Sequence, residues 1–501
     1  MPDFVSAVPG YSAWDALRDP ANSPLPDPLG GLVVKDEHLE RVLRGIDFLV
    51  QDGAIGTQLQ AHGFAQGGQN PDLECLAHPG AVTQVHREYV EAGSEMVTTN
   101  SFSANELKLA GAASVEEVCG TAVDCAKASG ARYVTGSIGP LGKMLQPFGE
   151  VPVDEAYRMF FQQAKALAEA GADALSIETM ADLREAKIAL LAARDACKLP
   201  IFASMTYMNT GRTLFGTPPA AVAATLSSLG ANVVAVNCSL GPKEIKPIAR
   251  ELVVASRCPV AVRPNAGMPR LENGATVYDV TPEEFAEAMG EMLDFGVNVM
   301  GGCCGTNPDF IKRLAHVVAK QGEPAVRPYL SGLRVCSSQE QVLVQLDEGD
   351  SLDMVSVVEQ ADENVLDDIR EGDADAVVDE IDDARDDADV VEICLADAGL
   401  EGEGERVLLR EVVDALEETS PVPLCLRCDD AQALDGALRD LAGKPLVGPV
   451  SGDMDTLGRI ASVAKRHGCG LAIPAGAEDA EAARSLAVSL GIPGEDMVFG
   501  A

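Results

Sequence analysis

Eight short apolar runs, each ending in small or polar residues, recur between Phe48 and Met300. Helix-like segments such as VDEAYRMFFQQAKALAEAG separate most of them. Eight strands alternating with helices over roughly 250 residues are typical of a (β/α)8 (TIM) barrel, in which functional residues follow the C-terminal ends of the strands. The eight predicted strand segments are FLVQDGAIGT, EMVTTNSFSAN, RYVTGSIGP, DALSIETM, PIFASMTY, NVVAVNCS, PVAVRPNAG and VNVMGGCCG.

The rest of the chain predicts a second, smaller α/β domain. An acidic stretch at about 358–387 is expected to be a solvated surface, because its like charges repel one another. After it, strand-like segments resume with DVVEICLA, VPLCLRC, KPLVGPVSG and GLAIPAG, too few for a second eightfold barrel. We therefore predict an N-terminal extension (1–40), a barrel (41–326), a linker (327–350) and an acidic, partial TIM-like domain (351–501).

The charge of the chain limits its partners. The net charge is −40, and residues 331–501 hold 40 acidic and 12 basic side chains, a net of −28. A surface of this sign repels nucleic acid and anionic membranes. The sequence lacks an apolar run of 18 residues and a recognisable signal peptide, so we expect a cytoplasmic protein with its 13 cysteines reduced.

Three cysteines stand at predicted strand ends. Cys238 ends the sixth apolar run, and Cys303 and Cys304 end the eighth. A single cysteine there would more often be small, buried packing, but three at one barrel mouth predict a zinc site with an open fourth position. Because three thiolates over-neutralise the ion, such a site suits activation of an incoming thiol, which loses its proton on coordination. None of the six histidines stands at a strand end, which argues against a hydrolase that needs a general base.

Seven motifs, in order, resemble the homocysteine S-methyltransferase family, and most closely the homocysteine-binding module of cobalamin-dependent methionine synthases. They are DGAIGTQL, TTNSFSAN, GSIGPLGK, ETMADLREAK, NCS, RPNAG and GGCCGTNP, and they lie between residues 40 and 325. The resemblance implies that Cys238, Cys303 and Cys304 are the zinc ligands. It also implies that Asn265 offers its amide oxygen as the fourth ligand when substrate is absent.

The same resemblance implies how the substrate is held. Asp52 and Glu178 would bind the ammonium of homocysteine, and backbone amides near Gly53, Ser137 and Gly139 would meet its carboxylate. From the residues alone, two other roles stay open: Asp52 could cap a turn, and Glu178 could pair with an arginine of the barrel.

The resemblance predicts methyl transfer to the thiol of homocysteine, giving methionine. The chain has no DxHxxG cobalamin signature, so methylcobalamin is expected on a separate corrinoid protein. The alternatives are S-methylmethionine or betaine as donor, or a demethylase shuttle, with the C-terminal domain as a docking platform only.

Five later segments are DARDDADVVEI, VPLCLRCDD, AQALDGAL, GKPLVGPVSG and KRHGCGLAIP. They give the second domain a faint resemblance to a truncated, degenerate pterin-binding barrel, but two positions depart from that pattern. Arg427 replaces an Asp and Gly448 replaces an Asn, so folate binding is not expected. Cys425 and Cys428 form a CxxC that lacks a second pair at zinc-ligand spacing, so we expect them to be buried packing residues.

Overall fold

A computed structural model describes residues 29–65, 70–268, 270–272, 275–329, 332–344, 352–385, 388–419, 422–474 and 480–499. The chain forms two compact units. The described residues of the first lie within 29–215 and 230–329, and those of the second within 216–229 and 332–499. Most of the predicted N-terminal extension (1–40) falls outside the described residues.

The first unit is built on a parallel eight-stranded sheet in the order β1-β10-β7-β6-β5-β4-β3-β2. A parallel bridge between Gln51 and Met96 joins the two ends of that order, so the sheet closes into a barrel. All eight predicted strands are present, which confirms the predicted fold class. The strands are β1 (Leu49–Val50), β2 (Met96–Thr98), β3 (Tyr133–Ile138), β4 (Ala174–Met180), β5 (Ile201–Met205), β6 (Val233–Asn237), β7 (Val260–Arg263) and β10 (Val299–Met300). A small antiparallel pair, β8 (Arg270–Glu272) and β9 (Ala275–Val277), follows β7.

Helices alternate with these strands, as the sequence pattern predicts. Several of these helices begin with a side-chain cap. In one of them, the Thr281 side chain accepts from the backbone of Glu284 in a reciprocal capping box. The helices are α1 (Glu37–Leu43), α2 (Ile55–Ala61), α3 (Glu74–Ala77), α4 (Pro79–Glu91), α5 (Glu106–Leu109), α6 (Val115–Ala128), α7 (Val153–Glu169), α8 (Leu183–Ala196), α9 (Pro219–Leu229), α10 (Pro242–Ala255), α11 (Pro282–Leu293) and α12 (Pro308–Val318), with a 3-10 turn at Pro71–Leu73. Of these, α9 follows β5 in the chain but its residues belong to the second unit.

The second unit contains an open parallel sheet whose six strands lie in sequence order. The strands are β13 (Met354–Ser356), β14 (Val390–Ile393), β15 (Leu424–Arg427), β16 (Leu446–Gly448), β17 (Gly470–Ile473) and β18 (Met497–Phe499). The helices are α13 (Val357–Gln360), α14 (Glu363–Glu371), α15 (Ala374–Ala384), α16 (Glu403–Thr419), α17 (Ala431–Asp440), α18 (Met454–His467) and α19 (Ala480–Ser489), with 3-10 turns at Leu395–Ala398 and Gly494–Asp496. This partial barrel-like sheet matches the predicted incomplete α/β domain.

Two features of this region differ from the sequence predictions. The segment 327–350, predicted as a linker, contains an antiparallel pair, β11 (Leu333–Cys336) and β12 (Gln341–Val344). The acidic stretch is not only a solvated surface, because Ile369, Val377 and Ile381 are buried in the core of the second unit. Apolar residues one helical turn apart form a buried stripe there, while the acidic residues cover the other face.

Within the described residues, no helix combines the length and the apolar character that crossing a bilayer requires.

Candidate metal and substrate site

The structure brings the three strand-end cysteines together at the barrel mouth. Cys238 directly follows β6, and Cys303 and Cys304 follow β10 after two intervening glycines. The three sulfur atoms all lie within 4.8 Å of one another, and the Sγ atoms of Cys238 and Cys304 are 3.8 Å apart. Cys238 and Ser239 have φ values of 63° and 58°, so the chain turns in the left-handed region as it leaves β6. This turn aims Cys238 at the pair from β10.

The end of β7 and the segment that follows it connect the two cysteine loops through backbone hydrogen bonds. The amide of Cys238 donates to the carbonyl of Arg263 at 3.1 Å, and that of Cys303 donates to the carbonyl of Pro264 at 2.8 Å. The amide of Ala266 in turn donates to the carbonyl of Cys304 at 3.0 Å. The sulfur positions are therefore set by hydrogen bonds among three strand ends.

The donor set fits a tetrahedral metal ion. Sulfur ligands about 2.3 Å from zinc stand about 3.8 Å apart at a tetrahedral centre. A shared hydrogen bond with Cys238, with burial adding to it, raises the pKa of Cys303 to about 12. Three neighbouring thiolates therefore need a cation to hold them in the charged form. Asn265 lies in the connecting segment, and its Oδ1 is buried without a hydrogen-bond partner, as expected for an oxygen available to a metal.

Asp52 and Glu178, the two predicted ammonium ligands, are joined by one arginine. Arg263 Nη2 lies 3.0 Å from Asp52 Oδ1, and Arg263 Nη1 lies 2.7 Å from Glu178 Oε1. The structure therefore contains the ion pair that the sequence left open for Glu178. Asp52 does not cap a turn; it accepts from the backbone and hydroxyl of Thr98 at 2.7 and 2.9 Å, which links β1 to β2. Burial raises the pKa of Asp52 to about 6, against the opposing charge of Arg263.

The backbone amides predicted to bind the substrate carboxylate, near Gly53, Ser137 and Gly139, have different surroundings. The amide of Ser137 donates to Thr99 Oγ1 and that of Gly139 donates to the carbonyl of Phe102, both at 2.9 Å. In this structure these two N–H groups are therefore already engaged. Gly53 is packed so closely that an added Cβ would lie 2.7 Å from Thr306 Oγ1, so only glycine fits there.

Sequence reasoning missed two residues of the site, Arg263 and Asn237. Asn237 ends β6, and its Nδ2 donates to Thr179 Oγ1 at 2.7 Å and approaches Cys303 Sγ at 3.8 Å. Its Oδ1 accepts from the backbone of Thr179 at 2.9 Å, next to Glu178. Both residues could have been found in the sequence, because each is a polar or charged residue at the end of an apolar strand: Asn in AVNCS and Arg in AVRPNAG.

The second unit shows no comparable site among its described residues. Among the described residues of both units, the cysteine trio is the only group of three or more Cys, His, Asp or Glu side chains that could hold a metal ion. Cys425 and Cys428 are buried. Arg427 is buried too, and its guanidinium donates to the carbonyl of Pro449 at 2.8 Å. A Cβ on Gly448 would lie 2.3 Å from the carbonyl oxygen of Ala472, so a larger residue does not fit.

The chain is similar to curated methionine synthases along much of its length. It is 29% identical to the methionine synthase of Mycobacterium tuberculosis (strain ATCC 25618 / H37Rv) over 436 residues, covering 80% of this chain and 35% of that protein. It is 34% identical to the methionine synthase of Mycobacterium leprae (strain TN) over 300 residues, covering 56% of this chain and 25% of that protein. The chain thus spans about a third or less of these relatives.

The solved structures similar to this chain include the homocysteine methyltransferase MmuM from Escherichia coli in its metallated form. The identity is 23% and the TM-score 0.48, and the match covers 56% of this chain and 99% of that one. The sequence profile described as homocysteine S-methyltransferase matches residues 49–318, which is more than half of the chain and contains every strand of the barrel and all three clustered cysteines. The chain therefore belongs to the homocysteine S-methyltransferase family.

Proposed function

We propose that this protein transfers a methyl group to the thiol of homocysteine, giving methionine. The observation that carries the proposal is the convergence of three sulfurs beside a buried acidic pair at the mouth of one barrel. Zinc bound by Cys238, Cys303 and Cys304 would hold the substrate thiol as a thiolate, the form that attacks a methyl carbon.

The residues around the trio suit an amino acid that carries a thiol. Asp52, Arg263 and Glu178 together have a net charge of −1, which attracts one ammonium group. Asn265 Oδ1, buried and without a partner, is proposed to take the fourth metal position when no thiol is present. The backbone amide of Gly53 is proposed to meet the substrate carboxylate, and the missing side chain there leaves room for Thr306 and Tyr89. These groups would orient the substrate with its thiol toward the cysteines.

We further propose that the methyl donor is methylcobalamin carried by a separate protein. Large apolar side chains are exposed on the loops that leave the C-terminal ends of β3, β5 and β7: Met144, Phe148, Met208, Leu214, Phe215 and Met268. Exposed apolar groups around a site mark a contact surface for a partner or a large ligand. A small, charged donor such as betaine or S-methylmethionine would gain little from this rim.

The proposal is tested on the full-length protein by zinc analysis and by methionine formation. We expect one zinc per chain, and methionine from homocysteine with methylcobalamin but not with S-methylmethionine or betaine. Cys303→Ala should lose zinc and activity together. Cys197→Ala, a half-buried cysteine at the end of α8, is the matched control and should keep both. Full zinc in Cys303→Ala would contradict the metal site, and methionine from betaine or S-methylmethionine alone would contradict the donor.

A further inference from the structure

Asp52, Arg263 and Glu178 form a buried ion network that we call the acid–arginine triad. One guanidinium spans both carboxylates, with contacts of 3.0 and 2.7 Å. Two buried carboxylates alone would repel each other, and one would take up a proton. Arg263 lies between them and offsets one of their two formal charges, so the triad has a formal net charge of −1.

The two carboxylates are not equally available to a ligand. Asp52 is 0% exposed and already accepts three hydrogen bonds, two from Thr98 and one from Arg263. Glu178 is 8% exposed. Its Oε1 is occupied by Arg263 and Ser176 at 2.7 and 2.9 Å, but its Oε2 has only a long contact of 3.4 Å with Ser137 Oγ. Glu178 Oε2 is therefore the oxygen of the triad that an incoming ammonium can reach.

Arg263 also contacts both cysteine loops. Its Nε donates to the carbonyl of Gly302 at 3.3 Å, one residue before Cys303. Its own carbonyl accepts from the amide of Cys238 at 3.1 Å. The side chain that fixes Glu178 is thus attached to the backbone that fixes the sulfurs.

We propose that Arg263 is a positioning residue that sets specificity for a thiol bearing an ammonium group. Arg263 is the structural counter-ion of Asp52, so Glu178 is the one carboxylate that binds the ammonium. Arg263 also fixes the distance from the Glu178 carboxylate to the thiolates. This role of Arg263 rests on the proposed function. It gives Asp52 and Glu178 different tasks, whereas both were expected from the sequence to bind the ammonium.

The test compares two thiols on the zinc-loaded full-length protein by calorimetry. Homocysteine and 4-mercaptobutanoate differ only in the amino group, so the ratio of their dissociation constants reports ammonium recognition. A charge-assisted hydrogen bond contributes about tenfold or more in affinity, so the native protein should prefer homocysteine by at least that factor. Glu178→Gln should remove most of this preference, whereas Asp52→Asn should keep it even if stability falls.

Arg263 is tested by the same ratio, which a purely structural role would not change. Arg263→Met should reduce the preference, and Arg263→Lys, which keeps one positive charge, should restore part of it. If Asp52→Asn removes the preference as fully as Glu178→Gln, or if Arg263→Lys and Arg263→Met leave it unchanged, the assignment is wrong. A native protein that binds neither thiol would instead contradict the proposed function.

Discussion

Lys444 and Asp496 form an ion pair inside the second unit. The Nζ to Oδ1 distance is 2.6 Å, and the two side chains are 1% and 2% exposed. Lys444→Met would remove this ammonium group from its contact with the buried Asp496 carboxylate. Removing one partner of a buried ion pair costs about 3–5 kcal/mol. The backbone bonds between Lys444 and Cys336 do not depend on the side chain and should persist.

The expected loss is large enough to measure by differential scanning calorimetry. In a domain of this size each kcal/mol lowers Tm by about 2–4 °C, so the transition of the second unit should fall by about 6–20 °C. The double variant Lys444→Met with Asp496→Leu removes both charges and should recover most of the loss. If the free energy of unfolding falls by less than about 1 kcal/mol in the single variant, the reasoning is refuted, because solvent-exposed surface pairs contribute that little.

Two further predictions concern the barrel. Glu185 Oε1 accepts a hydrogen bond from the Leu141 amide, and burial raises the pKa of this carboxyl to about 7. The stability that this group contributes is present below its unfolded pKa of 4.5. It is lost as the pH rises through 7. Glu185→Gln should therefore flatten the decline of the barrel's Tm between pH 5 and 8, and an unchanged slope would contradict this assignment. Gly305 has φ +81°, and an added Cβ would clash with the Tyr278 ring. Gly305→Ala should therefore displace the adjacent Cys304. It should weaken zinc binding by about tenfold, as measured by competition with a chelator. Gly56→Ala, where nothing lies within 4 Å of the added atom, should leave zinc affinity unchanged.

The barrel was predictable because its strands are buried on both faces and its functional residues follow the strand ends. Each of the eight apolar runs became a strand, and a cysteine that ends such a run must lie at the mouth. The location of Cys238, Cys303 and Cys304 could thus be predicted from the sequence. Their spacing could not, because it depends on backbone bonds from the segment after β7 and on the left-handed turn at Cys238.

What the sequence did not reveal depends on contacts between residues distant in the chain. Arg263 reads as one charge in an apolar strand, and only folding shows that it meets Asp52 and Glu178. In the second unit, β13 is three residues long and the stripe of Val377 and Ile381 is interleaved with acidic residues. Hydrophobic periodicity is weak in such short or highly charged segments.

The order of strands in the barrel has a consequence for how the protein is made. Strand β10 is the last of the eight to be synthesised, yet it lies between β1 and β7 and pairs residue 299 with residue 49. Cys303 and Cys304 leave the ribosome just behind it, so a nascent chain carries Cys238 alone until its final barrel strand is available. Contacts this distant in sequence form late. Zinc capture is therefore expected to coincide with closure of the barrel, whereas the sheet of the second unit, in which each strand pairs with the next, can grow one strand at a time during translation.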